Sequence, residues 1–169
     1  ILEWNPLNGK LYAGNDGGVY RRSYFFNGYE SISTAMSITQ FYRLANSASD
    51  PTLILGGSQD NGTFRWRNDG WQAIYGGDGM EAMIHPEDPN IMYCTTQRGS
   101  LYRSNDGGFN FIGNLEPTAG AWVTPFMMEP GNPDVIYAAS DSKVYRSDNE
   151  ANSWYEISPE LTGFNTGPL

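Results

Sequence analysis

The chain has 169 residues, enough for one domain with a substantial core. Ten Lys and Arg stand against 19 Asp and Glu, a formal charge of −9, which repels phosphate backbones and anionic membrane surfaces and excludes nucleic acid as an expected partner. No apolar stretch approaches the roughly 18 residues of a membrane span, and 20 glycines with 14% aromatic residues favour turns and strands over helices.

The chain opens on Ile1 and shows no basic start followed by an apolar run, so a segment of a longer chain is expected. Residues Asn5-Pro6-Leu7-Asn8-Gly9 read as a turn. Next comes Lys10-Leu11-Tyr12-Ala13-Gly14, then Asn15-Asp16-Gly17-Gly18, then Val19-Tyr20-Arg21-Arg22-Ser23. An apolar strand, a tight Gly/Asp turn and an alternating strand make a β-hairpin. The same pattern returns at Leu53 to Trp66 about Gln59-Asp60-Asn61-Gly62, at Ile91 to Ser104 about Gln97-Arg98-Gly99, and at Val135 to Ser147 about Asp141-Ser142. The anchors Ser23, Trp66, Ser104 and Ser147 recur about every 40 residues, a period that suits a four-stranded propeller blade.

Other elements keep the same phase. A Pro-containing turn precedes each hairpin, at Asp50-Pro51, at 86–90 and at 130–134. Before the turn lies a short apolar run: 41–45, 80–84 and 125–128. Each blade therefore reads as strand A, Pro turn, strand B, tight turn, strand C, turn, strand D. The first copy is expected to lack strand A. The expected repeats are 1–32, 33–74, 75–113 and 114–157, with 158–169 starting the next blade or a linker. The fold class is accordingly all-β, about four four-stranded antiparallel blades of a larger β-propeller.

Ser104-Asn105-Asp106-Gly107-Gly108-Phe109-Asn110-Phe111 fits Ser-x-Asp-x-Gly-x-x-aromatic and resembles the Asp-box, the bacterial neuraminidase repeat. Ser147 to Trp154 is a decayed copy, with Asn149 and Ala151 in place of Asp and Gly. Asn68 to Trp71 and Ser23 to Tyr29 are weaker copies. The resemblance covers nearly the whole chain and implies a propeller of seven or more blades. Ser104, Asp106, Gly108, Phe111, Ser147 and Trp154 are then structural: the carboxylate accepts N–H groups across its own turn, the Gly supplies positive φ, and the aromatic packs between sheets.

Strand A lines the central channel of such a fold and strand D is outermost. The B–C turns and the D-to-A crossings share one face, opposite the boxes. In Asp-box enzymes the active cleft lies on that face. Candidate ligand-binding residues are Gln59, Gln97, Asp78 and Trp122, the last two from the crossings. Asp16, Asp60 and Asp78 are candidate general acid or base groups on one rim, while Asp beside Gly is equally ordinary turn chemistry. Gly76-Gly77-Asp78-Gly79 has no counterpart in the other crossings.

Leu11 to Arg21 resembles the segment around one catalytic Asp of the family-74 glycoside hydrolases (xyloglucanases), which implies that role for Asp16. That family draws its second carboxylate from another propeller. No Arg-Ile-Pro occurs, so the sialidase likeness stops at the repeat. Arg21, Arg65, Arg103 and Arg146 recur at one position of strand C and read as scaffold. Cys94 and the single His85 have no Cys or His partner at ligand spacing, so neither a metal nor a cofactor is expected. Met80, Met83, Met127 and Met128 read as inner packing.

Three functions remain open. One is a non-catalytic module of a secreted or cell-surface protein, holding a polysaccharide or protein ligand on its B–C face and joined to the rest of its own longer chain. The others are a glycoside hydrolase and a sortilin-like peptide receptor. All three follow from the resemblance.

Overall fold

The structure, a computed structural model, describes residues 1–15, 18–23, 28–33, 39–68 and 70–161. The chain forms two compact units, Ile1–Thr39 and Gln40–Leu169.

The first unit is one antiparallel sheet in the order β1 (Leu2–Asn5), β2 (Lys10–Asn15), β3 (Gly18–Ser23), β4 (Gly28–Ser31). The expectation that this copy lacks strand A is corrected: β1 occupies that place, with Glu3 opposite Tyr12 and Trp4 opposite Leu11. Leu2-Glu3-Trp4-Asn5 is too polar to read as an apolar run, and its partner strand recruits it through main-chain bonds. Asn5 turns the chain by accepting the Leu7 N–H on Oδ1 and the Gly9 N–H on its carbonyl. None of this unit's described residues is fully buried.

The second unit contains three sheets. One runs β5 (Phe41–Asn46), β6 (Leu53–Ser58), β7 (Gly62–Arg67), β8 (Trp71–Tyr75). The next runs β9 (Ala82–Ile84), β10 (Met92–Thr95), β11 (Leu101–Ser104). The last runs β12 (Phe126–Glu129), β13 (Asn132–Ser140), β14 (Lys143–Ser147), β15 (Tyr155–Glu156). The middle sheet keeps only a single bridge, Arg103 to Ile112, where its fourth strand would lie. Two things break the ladder there. Asn114 is left-handed (φ 59°), and the Leu101 N–H is taken by the Glu116 carboxylate instead of a strand carbonyl. Beyond β15, Ile157 and Leu161 donate to the Val144 and Ser142 carbonyls, which lays 157–161 beside β14.

Successive sheets pack face to face through alternate strand residues. Leu53 and Leu55 meet Ala82, Ile84 and Met92 in one core cluster. Met83, Tyr93 and Leu101 meet Phe126, Ile136, Ala138 and Ala151 in the other. Each of the larger apolar side chains contributes about 1.5–3 kcal/mol by leaving water. The innermost strands β5, β9 and β12 converge on an open groove of about 320 Å³, lined by Ala45, Met83, Ile84, Phe126, Met127 and Met128. Sheets stacked by their faces, with each first strand innermost, are blades of a β-propeller. The chain is all-β, and these are antiparallel propeller blades.

Arginine fastens one blade to the next. Arg65 stands opposite Leu55, Arg103 opposite Tyr93 and Arg146 opposite Tyr137. Arg65 Nη1 donates to the Gly107 carbonyl of the following sheet's turn, and the guanidinium lies 5.1 Å from the Phe109 ring centroid. Arg103 Nη1 donates to the Glu150 carbonyl at 2.8 Å and to its carboxylate at 3.0 Å. Both arginines are buried.

Candidate functional site

The three tight B–C turns of the second unit share one backbone device. Asp60, Arg98 and Asp141 occupy the same position of their turns, all left-handed, with φ of 58°, 61° and 54°. Antiparallel topology places these turns at the opposite strand ends from the Ser104–Phe111 and Ser147–Trp154 turns. Asp60 and Arg98 are exposed, and Gln59 and Gln97 half-buried.

Asp78 sits half-buried in the crossing from β8 to β9. Its Oδ1 accepts the Asp60 N–H at 2.6 Å, and its Oδ2 accepts Gln97 Nε2–H at 2.5 Å. One carboxylate therefore staples the B–C turns of two adjacent blades. Both oxygens of this candidate residue are thereby engaged. The glycines beside it serve the crossing. A methyl at Gly79 would collide with the Gly62 carbonyl, and the Gly79 N–H donates to the Ser58 carbonyl at 3.0 Å.

The next crossing is bonded through its backbone to one turn, at Arg98. Arg98 N donates to the Trp122 carbonyl at 3.2 Å, and Gly120 N donates to the Arg98 carbonyl at 2.8 Å. Thr124 Oγ1 closes this segment on the Ala121 carbonyl at 2.8 Å. Trp122 is left 38% exposed beside the Gln97–Gly99 turn. Gln97, Asp78, Asp60, Arg98 and Trp122 thus belong to one hydrogen-bonded rim. Asp16 lies outside the described residues.

Sequence reasoning missed Glu81, the one charged residue in the apolar run 80–84. Its side chain is 16% exposed and its carboxylate is 3.4 Å from Arg43 Nε. Burial pushes the Glu81 carboxyl above the ordinary carboxylate range, and the Arg43 charge only partly offsets this. Arg98, in a turn that the sequence did single out, puts a cation at the turn position that Asp60 and Asp141 fill in the neighbouring sheets.

At the opposite strand ends the turns are closed by their own hydrogen bonds. Ser104 Oγ donates to Asp106 Oδ1 at 2.8 Å and accepts the Gly108 N–H at 2.8 Å. Asp106 Oδ1 also accepts the Phe109 and Asn110 N–H groups, at 3.0 and 2.9 Å. The Asn110 amide, then its N–H, Ser104 and the Phe109 N–H, hold the Asp106 carboxyl down at about 2. Phe111 packs edge-on to Tyr75 of the preceding sheet, at 5.1 Å. The turn at Ser147 repeats three of these bonds: Ser147 Oγ to Asn149 Oδ1 at 3.0 Å, Ala151 N–H to Ser147 Oγ at 2.9 Å, and Ser153 N–H to Asn149 Oδ1 at 2.9 Å. Trp154 Nε1–H reaches the Leu115 carbonyl at 2.6 Å.

His85 is buried and accepts the Glu87 and Asp88 N–H groups on Nδ1, shaping its own turn. Among the described residues no group of three His, Cys, Asp or Glu is placed to hold a metal ion. Nor is any helix there long and apolar enough to cross a membrane.

No protein-family profile matches the chain, and no curated protein matches it. Solved structures do. A family-74 xyloglucanase from Xanthomonas campestris aligns over 94% of this chain and 30% of its own, with TM-score 0.58 and 16% identity. An auxiliary nutrient binding protein from Bacteroides thetaiotaomicron aligns over 97% of this chain and 42% of its own, with TM-score 0.58 and 12% identity. YCF48 bound to D1 peptide aligns over 87% and 49%, with TM-score 0.52 and 12% identity. What these share with the chain is the propeller fold. The chain spans less than half the length of each.

Proposed function

We propose that this chain is a non-catalytic β-propeller module of a secreted or cell-surface protein that holds a glycan or protein ligand on its B–C turn face. The observation that carries this reading is the Asp78 carboxylate, which spends one oxygen on the Asp60 N–H and the other on Gln97. A carboxylate whose two oxygens are each held by a donor is a good brace between the groups it joins. The brace holds Gln97, Arg98 and Trp122 on a preorganised rim, which lowers the ordering cost of binding. The exposed Trp122 ring suits stacking on a sugar or a peptide side chain. In this reading 1–32, 33–74, 75–113 and 114–157 are successive blades. Ser104 to Phe111 and Ser147 to Trp154 are Asp-box turns with no part in the ligand site.

A second reading, glycoside hydrolase, is favoured by one observation. Glu81, with its raised carboxyl, lies three residues from the doubly hydrogen-bonded Asp78, and carboxyls in unlike environments are the raw material of acid–base pairs. The test is to incubate the chain with xyloglucan oligosaccharides and a broader glycan panel, measuring binding and release of reducing ends. Saturable binding that Trp122→Ala or Gln97→Ala weakens about tenfold, with no reducing ends released, supports the module. Reducing-end release that Glu81→Gln or Asp78→Asn abolishes overturns it in favour of the hydrolase.

A further inference from the structure

Arg98 stands apart from the other arginines of the second unit. Arg43 holds the Glu81 carboxylate, Arg65 the Gly107 carbonyl, Arg67 the Asp50 carboxylate, Arg103 that of Glu150 and Arg146 that of Asp148. Among the described residues the Arg98 side chain has no hydrogen bond, ion pair or ring contact, and it is exposed. The turn that carries it, Gln97–Gly99, belongs to the middle of the three sheets, with a described sheet on either side.

The backbone beneath this free cation is fixed. Arg98 is left-handed, with φ 61° and ψ 22°, a region that Gly, Asn and Asp enter more readily than a long side chain does. Asp60 and Asp141 fill the matching place in the neighbouring turns. The main-chain groups of the turn are already engaged. Thr96 N donates to the Ser100 carbonyl at 2.9 Å and Gly99 N to the Thr96 carbonyl at 3.2 Å, while Arg98 gives its N–H to Trp122 and its carbonyl to Gly120. Nor can the turn slide, since a methyl at Gly99 would meet Thr124 Oγ1 at 2.6 Å. A cation held in a disfavoured conformation, with no partner among the described residues, suits a role toward a ligand.

On the reading of this chain as a binding module, we propose that Arg98 and Trp122 form a subsite for an isolated uronate of a mainly neutral glycan. The guanidinium takes the sugar carboxylate in a two-pronged bond, and the Trp122 ring stacks on the sugar face. The planar fork of arginine matches a carboxylate in geometry and charge. Trp122 is exposed, and the bond from Arg98 N to its carbonyl keeps it beside the turn. A densely charged polyanion is disfavoured by the formal charge of −9 and by the exposed Asp60 on the same rim. A peptide main chain is disfavoured because the N–H groups of Thr96, Arg98 and Gly99 are already donated. What the turn offers is side chains, which suits a sugar.

The test measures binding of the whole chain to oligosaccharides that carry one glucuronate or one galacturonate, each beside its methyl ester, which keeps the sugar and removes the charge. The acid is expected to bind at least about tenfold more tightly than the ester, as a charge-assisted pair does, and the gap should shrink as salt rises. Arg98→Gly should narrow the gap to within about twofold. Because glycine suits the left-handed position, the melting temperature of that variant should not fall. Trp122→Ala should weaken acid and ester alike. Equal binding of acid and ester, or a gap that survives Arg98→Gly, overturns the uronate subsite; if Trp122→Ala still weakens that binding, the module reading stands without it. A further arm pairs a short peptide ending in a free carboxylate with its amide, and discrimination there with none between the glycans overturns the choice of a sugar. No binding of either uronate also overturns the subsite, while the broader glycan panel reads the module separately.

Discussion

At the scale of single residues, the two Ser-led turns keep a similar shape with different residues. Ser104 and Ser147 are both fully buried, and each hydroxyl donates once and accepts N–H groups from its own turn. Ala151 keeps the left-handed conformation that Gly108 has in the other turn, φ 66° against 91°. The backbone strain of a non-glycine there is offset by a methyl buried in the core. Ser104→Ala should therefore cost about 1–3 kcal/mol, because it strands the buried Gly108 N–H; urea denaturation measures it. Asp106 gives a pH signature. Its folded-state value of about 2 lies below the ordinary 3.8, so the stability it adds is present above about pH 4 and is lost as pH falls through 2. Asp106→Asn should flatten the acid limb of the melting-temperature profile in that window and leave the profile near neutrality with only a small constant offset.

At the scale of elements, the hairpins were legible because their signals are local. An apolar strand, a turn rich in Gly and Asp, and an alternating strand survive in every copy. Strand β1 was not legible, because Leu2-Glu3-Trp4-Asn5 carries no apolar run and becomes a strand only against β2. The middle sheet's missing fourth strand was equally hidden, since it turns on Asn114 and Glu116 acting from outside the motif. Asp78 was singled out because its glycine-rich crossing has no counterpart, but its partners lie 18 and 19 residues away in two turns. No spacing rule connects them. Asp78→Ala should free both turns, raising amide hydrogen exchange at Asp60 by roughly tenfold or more while β6 and β10 stay protected. Unchanged exchange at Asp60 would mean that the staple is not what holds the rim.

At the scale of the whole molecule, period and topology could be read and the assembly of the site could not. A recurrence of about 40 residues with four strand signals leaves few architectures besides a propeller. Which side chains meet across blades depends on register, and a shift of one residue would exchange the faces. The arginines illustrate this. Their recurrence marked them as scaffold, yet only the structure shows that Arg65 and Arg103 reach forward into the next blade's turn. Arg103→Ala should accordingly cost about 1.5–3 kcal/mol, as a hydrogen bond to a charged group does. The loss should be somewhat smaller in a chain already carrying Glu150→Ala, which removes the carboxylate contact and keeps the backbone carbonyl that Arg103 also holds; a double-mutant cycle on denaturation midpoints checks this coupling.

The direction of these clips has a temporal side. Each donor arginine is translated before the carbonyl that receives it, 42 residues earlier for Arg65 and 47 for Arg103. At about 5–20 residues per second, a ribosome needs roughly 2–9 s to supply the acceptor. For that interval the newest blade stands with a bare apolar face and an unclaimed cation, the condition in which nascent chains recruit holdases or pair wrongly with one another. Blade-by-blade growth from the N-terminus thus makes the last finished sheet the aggregation-prone one at every stage of synthesis. Slowing translation across a blade boundary would lengthen that exposure rather than help the fold.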